Sequence, residues 1–139
     1  MNSFRQMLCK VIRSDGQLHS ARTVEIFGWI MFIEAAGLLF APHFVAGLLH
    51  LPSLSEQAAN YLRLVGLLVG GLGMLYIVSG RLNAQGFVFA TLIDRPLVPP
   101  IMALLWWWGI IPGPLALLFA LSDGLSSLWT FSAWKKENS

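Results

Sequence analysis

The chain has 139 residues, of which 56% are hydrophobic and 12% charged, with a net charge of +2. A soluble domain carries about 25% charged residues, and here the apolar residues come in long blocks rather than stripes, which excludes a soluble amphipathic bundle. The few basic residues have no exposed face on which to form a nucleic-acid patch, and Cys9, the single cysteine, excludes an intrachain disulfide and a CxxC redox pair.

The length suits one domain of about four spans. The expected fold is all-α, a four-transmembrane-helix bundle with an N-terminal interfacial amphipathic helix. Residues 1–22 form a cytoplasmic interfacial segment, 23–134 a single membrane domain and 135–139 a cytoplasmic tail.

Residues 3–14 read as a surface helix. Phe4, Met7, Leu8, Val11 and Ile12 share one face, and Gln6, Lys10 and Arg13 the other. A basic helix of this kind lies in the membrane interface; the alternative is a solvated tail that packs on nothing. The run Ser14-Asp-Gly-Gln17 breaks it.

Span one runs from Thr23 to Ala41, with Glu34 inside it beside Ala35, Ala36 and Gly37. The long polar leader and Pro42 after Ala41 argue for a retained span rather than a cleaved signal peptide. Residues 43–51 form an apolar outer connection. His43 and His50 are seven apart, roughly 10 Å on a helix, and make no metal-ligand motif. The reading assigns no metal and no cofactor.

Span two, Tyr61 to Gly80, begins after the helix-start pair Ser55 and Glu56. At about 100° per residue, Arg63, Gly66, Gly70, Gly73 and Gly80 fall on one side. Such a ridge lets another helix approach closely. Arg63 is a cation within an apolar run, so other helices are expected to supply an acid.

Span three contains Asp94-Arg95-Pro96 and Pro99-Pro100. Residues 97–111 rise only about 22 Å, and 84–111 is too long to stand straight. The reading is a kinked element: 84–95 along the inner interface, then a turn inward at the prolines. Asp94 and Arg95 then sit near the inner surface as a second candidate pair. A competing reading places them deep inside. Trp106, Trp107 and Trp108 suit an aromatic belt.

Ile111-Pro-Gly-Pro114 is a tight outer turn, and proline can open the next helix. Span four runs from Leu115 to Trp134. Ala116, Ala120, Asp123, Ser127 and Thr130 form a small, polar stripe with one acid, and Lys135 and Lys136 end the span.

Arg5, Lys10, Arg13, Arg22, Arg81, Lys135 and Lys136 fall on one side of this arrangement, and the outer connections carry no Lys or Arg. By the positive-inside bias both termini are cytoplasmic. Depths counted at about 1.5 Å per residue put Glu34, Arg63 and Asp123 at similar levels in the outer half. They form the candidate pocket, with neutral hydrogen bonds from Asn60, Tyr76 and Ser127. Two acids against one base leave one acid over, for a proton or a ligand.

No GxSxG, HExxH, Walker loop or Cys pair is present. The reading assigns no catalytic residue and leans away from an enzyme. Two functions stand: an internal ionic pocket that binds or passes a small hydrophobic molecule, or a non-catalytic subunit of a larger membrane complex. The bilayer is the first partner. A second copy or a membrane partner would dock through the Gly66/Gly70/Gly73 face.

Arg63-x-x-Gly66, the run ending Gly73-Met-Leu-Tyr76, Asp94-Arg95-Pro96 and the lone Asp123 are similar to the BphX-like family of small bacterial four-span membrane proteins, within the wider DoxX-like group. The resemblance covers about residues 25–134. It implies a multi-pass protein of the cell inner membrane. The link of some members with aromatic-compound degradation implies a hydrophobic ligand.

Overall fold

The computed structural model describes residues 2–139; Met1 lies outside them. The described chain is all-α. In order it forms α1 (Asn2–Arg13), α2 (His19–Phe40), α3 (Pro42–Leu48), α4 (Glu56–Arg81), α5 (Gln85–Asp94), a 3-10 turn (Arg95–Leu97), α6 (Val98–Trp107) and α7 (Gly113–Asn138). Four stretches are long and apolar enough to cross a membrane: α2, α4, the run Gln85–Trp107 and α7. At 22–26 residues they rise roughly 33–39 Å, against a hydrocarbon core of ~30 Å.

The distribution of polarity is inverted relative to a soluble fold. Ile33, Phe40, Leu68, Trp107 and Leu125 point outward, while Ser20, Thr23, Glu25, Thr91, Arg95, Ser127 and Thr130 are buried. In water, so large an apolar surface would drive association. In lipid it is the solvated face, and the polar groups must find partners inside.

The tightest packing joins α2 and α4. Ala21, Gly28 and Ala35 recur every seven residues on α2, and Gly66, Gly73 and Gly80 do so on α4. The helices run antiparallel, so Gly80 meets Ala21, Gly73 meets Gly28 and Gly66 meets Ala35. A Cβ placed on these three glycines would lie 2.6 Å from the Ala21 carbonyl oxygen, 2.9 Å from that of Gly28 and 3.0 Å from that of Ala35. Lipid tails match the helices in polarity, so close van der Waals contact holds the pair together.

This corrects one expectation. The Gly66/Gly70/Gly73 face does not await a second copy or another membrane protein, because Gly66 and Gly73 are buried on α2. Gly70 would bring a Cβ to 3.3 Å from Ala35 Cβ, and Gly71 faces open space. Both border a shallow apolar groove of about 500 Å³ with Phe32 and Met74.

Span three is a single passage rather than a surface helix followed by an inward turn. The Arg95 N–H still bonds to the Thr91 carbonyl, four residues back. Pro99 has no N–H to give the Arg95 carbonyl, and the Val98 N–H takes it instead. That exchange of an i+4 bond for an i+3 bond is the 3-10 turn. The helical path continues through it, and the span ends at Trp107, so its 23 residues need no kink to fit. Gly109, at φ +70°, closes α6: its N–H bonds to the Trp106 carbonyl and the Ile110 N–H to that of Leu105, the pattern of a glycine C-cap.

Other boundaries follow the sequence signals. Ser55 accepts a bond from the Ala58 N–H and starts α4 as expected. Pro114 sits in the first turn of α7. Lys135 and Lys136 lie within the last turns of that helix rather than ending it. Helix α1 runs Asn2–Arg13, one residue earlier at each end than expected, and is tied at its end by Arg81, whose Nη1 donates to the Val11 carbonyl at 2.9 Å. Its Phe4, Met7, Leu8 and Ile12 remain uncovered by the rest of the chain.

Around the bundle, α4 packs on α2, α2 on α7 and α7 on α6, while α5 touches α2, α4 and α7. Helix α6 buries no residue and makes no substantial contact with α4. The helices thus pack in the order α4, α2, α7, α6, with no substantial contact between the first and the last.

Candidate functional site

Arg63 does not join the acids. It stays half-buried on α4, and its Nη1 donates to Asn60 Oδ1 at 2.7 Å, one turn away on the same helix. No carboxylate pairs with it, since Glu25–Arg81 is the single ion pair among the described residues. Within the first turns of α4, a local amide engages one guanidinium N–H without any reach across the bundle. The expected contact of Arg63 with Glu34 or Asp123 is thereby withdrawn, while Asn60 supplies the expected neutral hydrogen bond, to Arg63 itself.

The internal cation is Arg95. It is only 1% exposed, and it is the eleventh of the 23 residues of span three, near the middle of that stretch. Of the two readings of the Asp94-Arg95 pair, the structure takes the deep one for Arg95, while Asp94 stays exposed. Its guanidinium carbon lies 4.2 Å from the centre of the Phe27 ring on α2 and 5.0 Å from that of Tyr76 on α4. Its Nη1 donates to Thr130 Oγ1 on α7 at 3.4 Å. One side chain thus touches all three other spans. Its Nε and Nη2 have no hydrogen-bond partner. Desolvated cation–π contacts are worth ~2 kcal/mol each, but they satisfy no N–H.

The walls complete the picture. Tyr76 is buried and its ring meets Phe87 edge-on, with centres 5.0 Å apart. Thr130 Oγ1 also accepts from Thr23 at 2.8 Å and donates to the Ser126 carbonyl at 3.0 Å, so it is saturated. Asp123 is half-buried and within electrostatic reach of Arg95, and Glu34 is within reach of Asp123. Neither acid makes a contact pair. Ser127 bonds to the Gly124 carbonyl of its own helix at 2.8 Å. Of the expected pocket residues, Tyr76 reaches the cation, Asp123 stands near it, Glu34 is within reach of Asp123 only, and Ser127 is locally satisfied. The base is Arg95.

A second polar knot closes the basic end. Glu25 accepts from Arg81 Nε at 2.7 Å, from Gln17 Nε2 at 2.7 Å and from Trp29 Nε1 at 3.3 Å. Gln17 also donates to the Gly80 carbonyl at 3.1 Å. Asn83, at φ +54°, accepts from the Leu18 N–H and donates to the Gly16 carbonyl. These bonds fasten the α1–α2 loop to the end of α4. Replacing Glu25 with Ala is expected to cost about 1.5–3 kcal/mol, the range for hydrogen bonds to a charged group. The loss stays below that of a fully buried pair because Arg81 is 27% exposed. The Glu25→Ala/Arg81→Ala double variant should lose less than the sum of the single losses in a thermal melt. Full additivity would mean that the two side chains do not couple.

Sequence reading did not use Glu25, since Arg81 passed for a helix-end charge. The signal was the seven-residue small pattern shared by α2 and α4, which fixes their register and brings Gly80 against the Glu25 backbone.

Among the described residues, no group of three or more His, Cys, Asp and Glu is gathered as a metal site. Four apolar spans around a polar, cation-bearing core define a multi-pass membrane protein. No family model, no curated protein and no solved structure matches the chain.

Proposed function

We propose that this protein binds a small, largely apolar molecule inside the bilayer through an acceptor oxygen placed on Arg95. The observation that carries the reading is a guanidinium 1% exposed at mid-span, with two unpartnered polar atoms and no acid in contact. An unsatisfied charged group in lipid costs at least ~2.5–3.5 kcal/mol, and a carbonyl or carboxylate would offset that cost. A membrane-dissolved molecule would enter between α4 and α6, which make no substantial contact. Phe27 and Tyr76 supply ring faces, and Asp123 a polar group nearby. A BphX-like membership, with its implied hydrophobic ligand, agrees with this reading. So does an inner-membrane orientation with the basic end and α1 at the cytoplasmic surface.

The test uses naphthoate and naphthoquinone, with naphthalene as the ring without an acceptor. In lipid nanodiscs, wild type should bind the first two at least about tenfold more tightly than Arg95→Leu does, since a hydrogen bond to a charged group is worth ~1.5–3 kcal/mol. Naphthalene should not distinguish the two proteins. Equal affinity of both proteins for all three probes would overturn the proposal. The alternative, a non-catalytic subunit of a larger assembly, draws on the lack of any buried residue in α6.

A further inference from the structure

At the basic end, a groove of about 620 Å³ opens between the first turns of α2 and the last turns of α7. Its rim carries His19, Arg22 and Lys136, and its floor includes Ile26 and Trp129. Glu137 also lines it, but its carboxylate is held on Ser20 and makes no contact pair with these cations. One of its carboxylate oxygens accepts from the Ser20 N–H at 2.8 Å and the other from the Ser20 hydroxyl. It serves as the N-terminal cap that α2 lacks of its own, since Leu18 offers no side-chain bond there. Arg22 and Lys136 are exposed and belong to no ion pair.

We propose that this groove is a stoichiometric site for an anionic phospholipid, with the phosphate between Arg22 and Lys136 and an acyl chain along Ile26 and Trp129. The charge argument is direct. Arg22 and Lys136 outnumber the one acid of the groove, whose carboxylate is turned onto Ser20, at the end where seven of the nine basic residues of the chain gather. The placement argument is independent. Charged groups stand at the level of the helix ends, and the apolar floor begins one to two turns further in. A lipid has that same succession of head group and chain. Anionic lipid is concentrated in the cytoplasmic leaflet, which the basic end faces if the positive-inside bias holds. This site is separate from Arg95, and the proposal does not rest on the reading of that residue.

The experiment is native mass spectrometry of the protein released from nanodiscs of equal parts phosphatidylglycerol and phosphatidylcholine. Wild type should retain one phosphatidylglycerol in preference to phosphatidylcholine. The Arg22→Gln/Lys136→Gln variant should lose that retention by about tenfold or more, as expected for two cations removed from an anionic surface. Lys10→Gln/Arg13→Gln, which removes equal charge from the same end, should retain it. If the first variant does not fold, Ala133→Trp, which fills the groove and keeps its charges, must lose the lipid instead. Equal retention in wild type and the groove variants would overturn the proposal, as would equal loss in the Lys10/Arg13 control, which would mark a diffuse surface charge. Displacement of the lipid by millimolar inorganic phosphate would assign the groove to a soluble anion instead.

Discussion

Gly73→Leu is expected to lose most of the stability of the bundle. Even the first carbon of the new side chain would stand 2.9 Å from the Gly28 carbonyl oxygen and 3.2 Å from Met31 Cβ. The carbonyl belongs to a helix backbone and cannot move aside, so α2 and α4 must separate along their whole seam. Overpacking a core costs about 1–3 kcal/mol and occasionally more; this position belongs at or above the top of that range, because no hydrophobic force in lipid pulls the helices back together. Two neighbours calibrate the result. Gly70→Leu meets only Ala35 Cβ, at 3.3 Å, and should cost less. Gly71→Leu meets nothing and should leave the melting temperature in detergent micelles near that of wild type. If all three variants melt alike, the seam does not hold the bundle.

Arg95→Met should act in the opposite direction. A cation at mid-span forfeits its hydration, at an effective cost of several kcal/mol. Two ring faces and one long bond to Thr130 return part of it, and two polar atoms are left bare. Apolar replacement of buried charged groups has stabilised soluble cores by about 1–4 kcal/mol, and the empty bundle should follow. The same variant should lose acceptor-bearing probes. A higher melting temperature together with lost binding is the signature of a group kept for a ligand. A melting temperature lowered by a similar amount would instead assign Arg95 to holding the four spans together.

The sequence made the fold legible and the core charge only in part. Four apolar blocks, the Ser55 cap and the Pro114 start are local signals, and each appears where expected. The glycine ridge was legible as a close-packing face, but its partner was not. That required seeing Ala21, Gly28 and Ala35 as its complement. Arg63 misled because hydropathy says that a cation in an apolar run needs a partner, without saying that Asn60, three residues earlier, suffices. Arg95 was placed shallow by counting the prolines as a break. The Arg95 carbonyl that Pro99 orphans is instead taken by the Val98 N–H in a change of hydrogen-bond register, which no residue pattern announces.

The seam of small residues also bears on the order in which the protein is made. Chains enter the membrane from the amino terminus onward. By the time Arg95 emerges, α2 and α4 are already present, and they need nothing from later segments to close on each other. Their hairpin carries Phe27 and Tyr76 on adjoining surfaces, so a receiving cradle exists before the residue that needs it. Thr130 comes last and fastens a guanidinium that has already left the lipid.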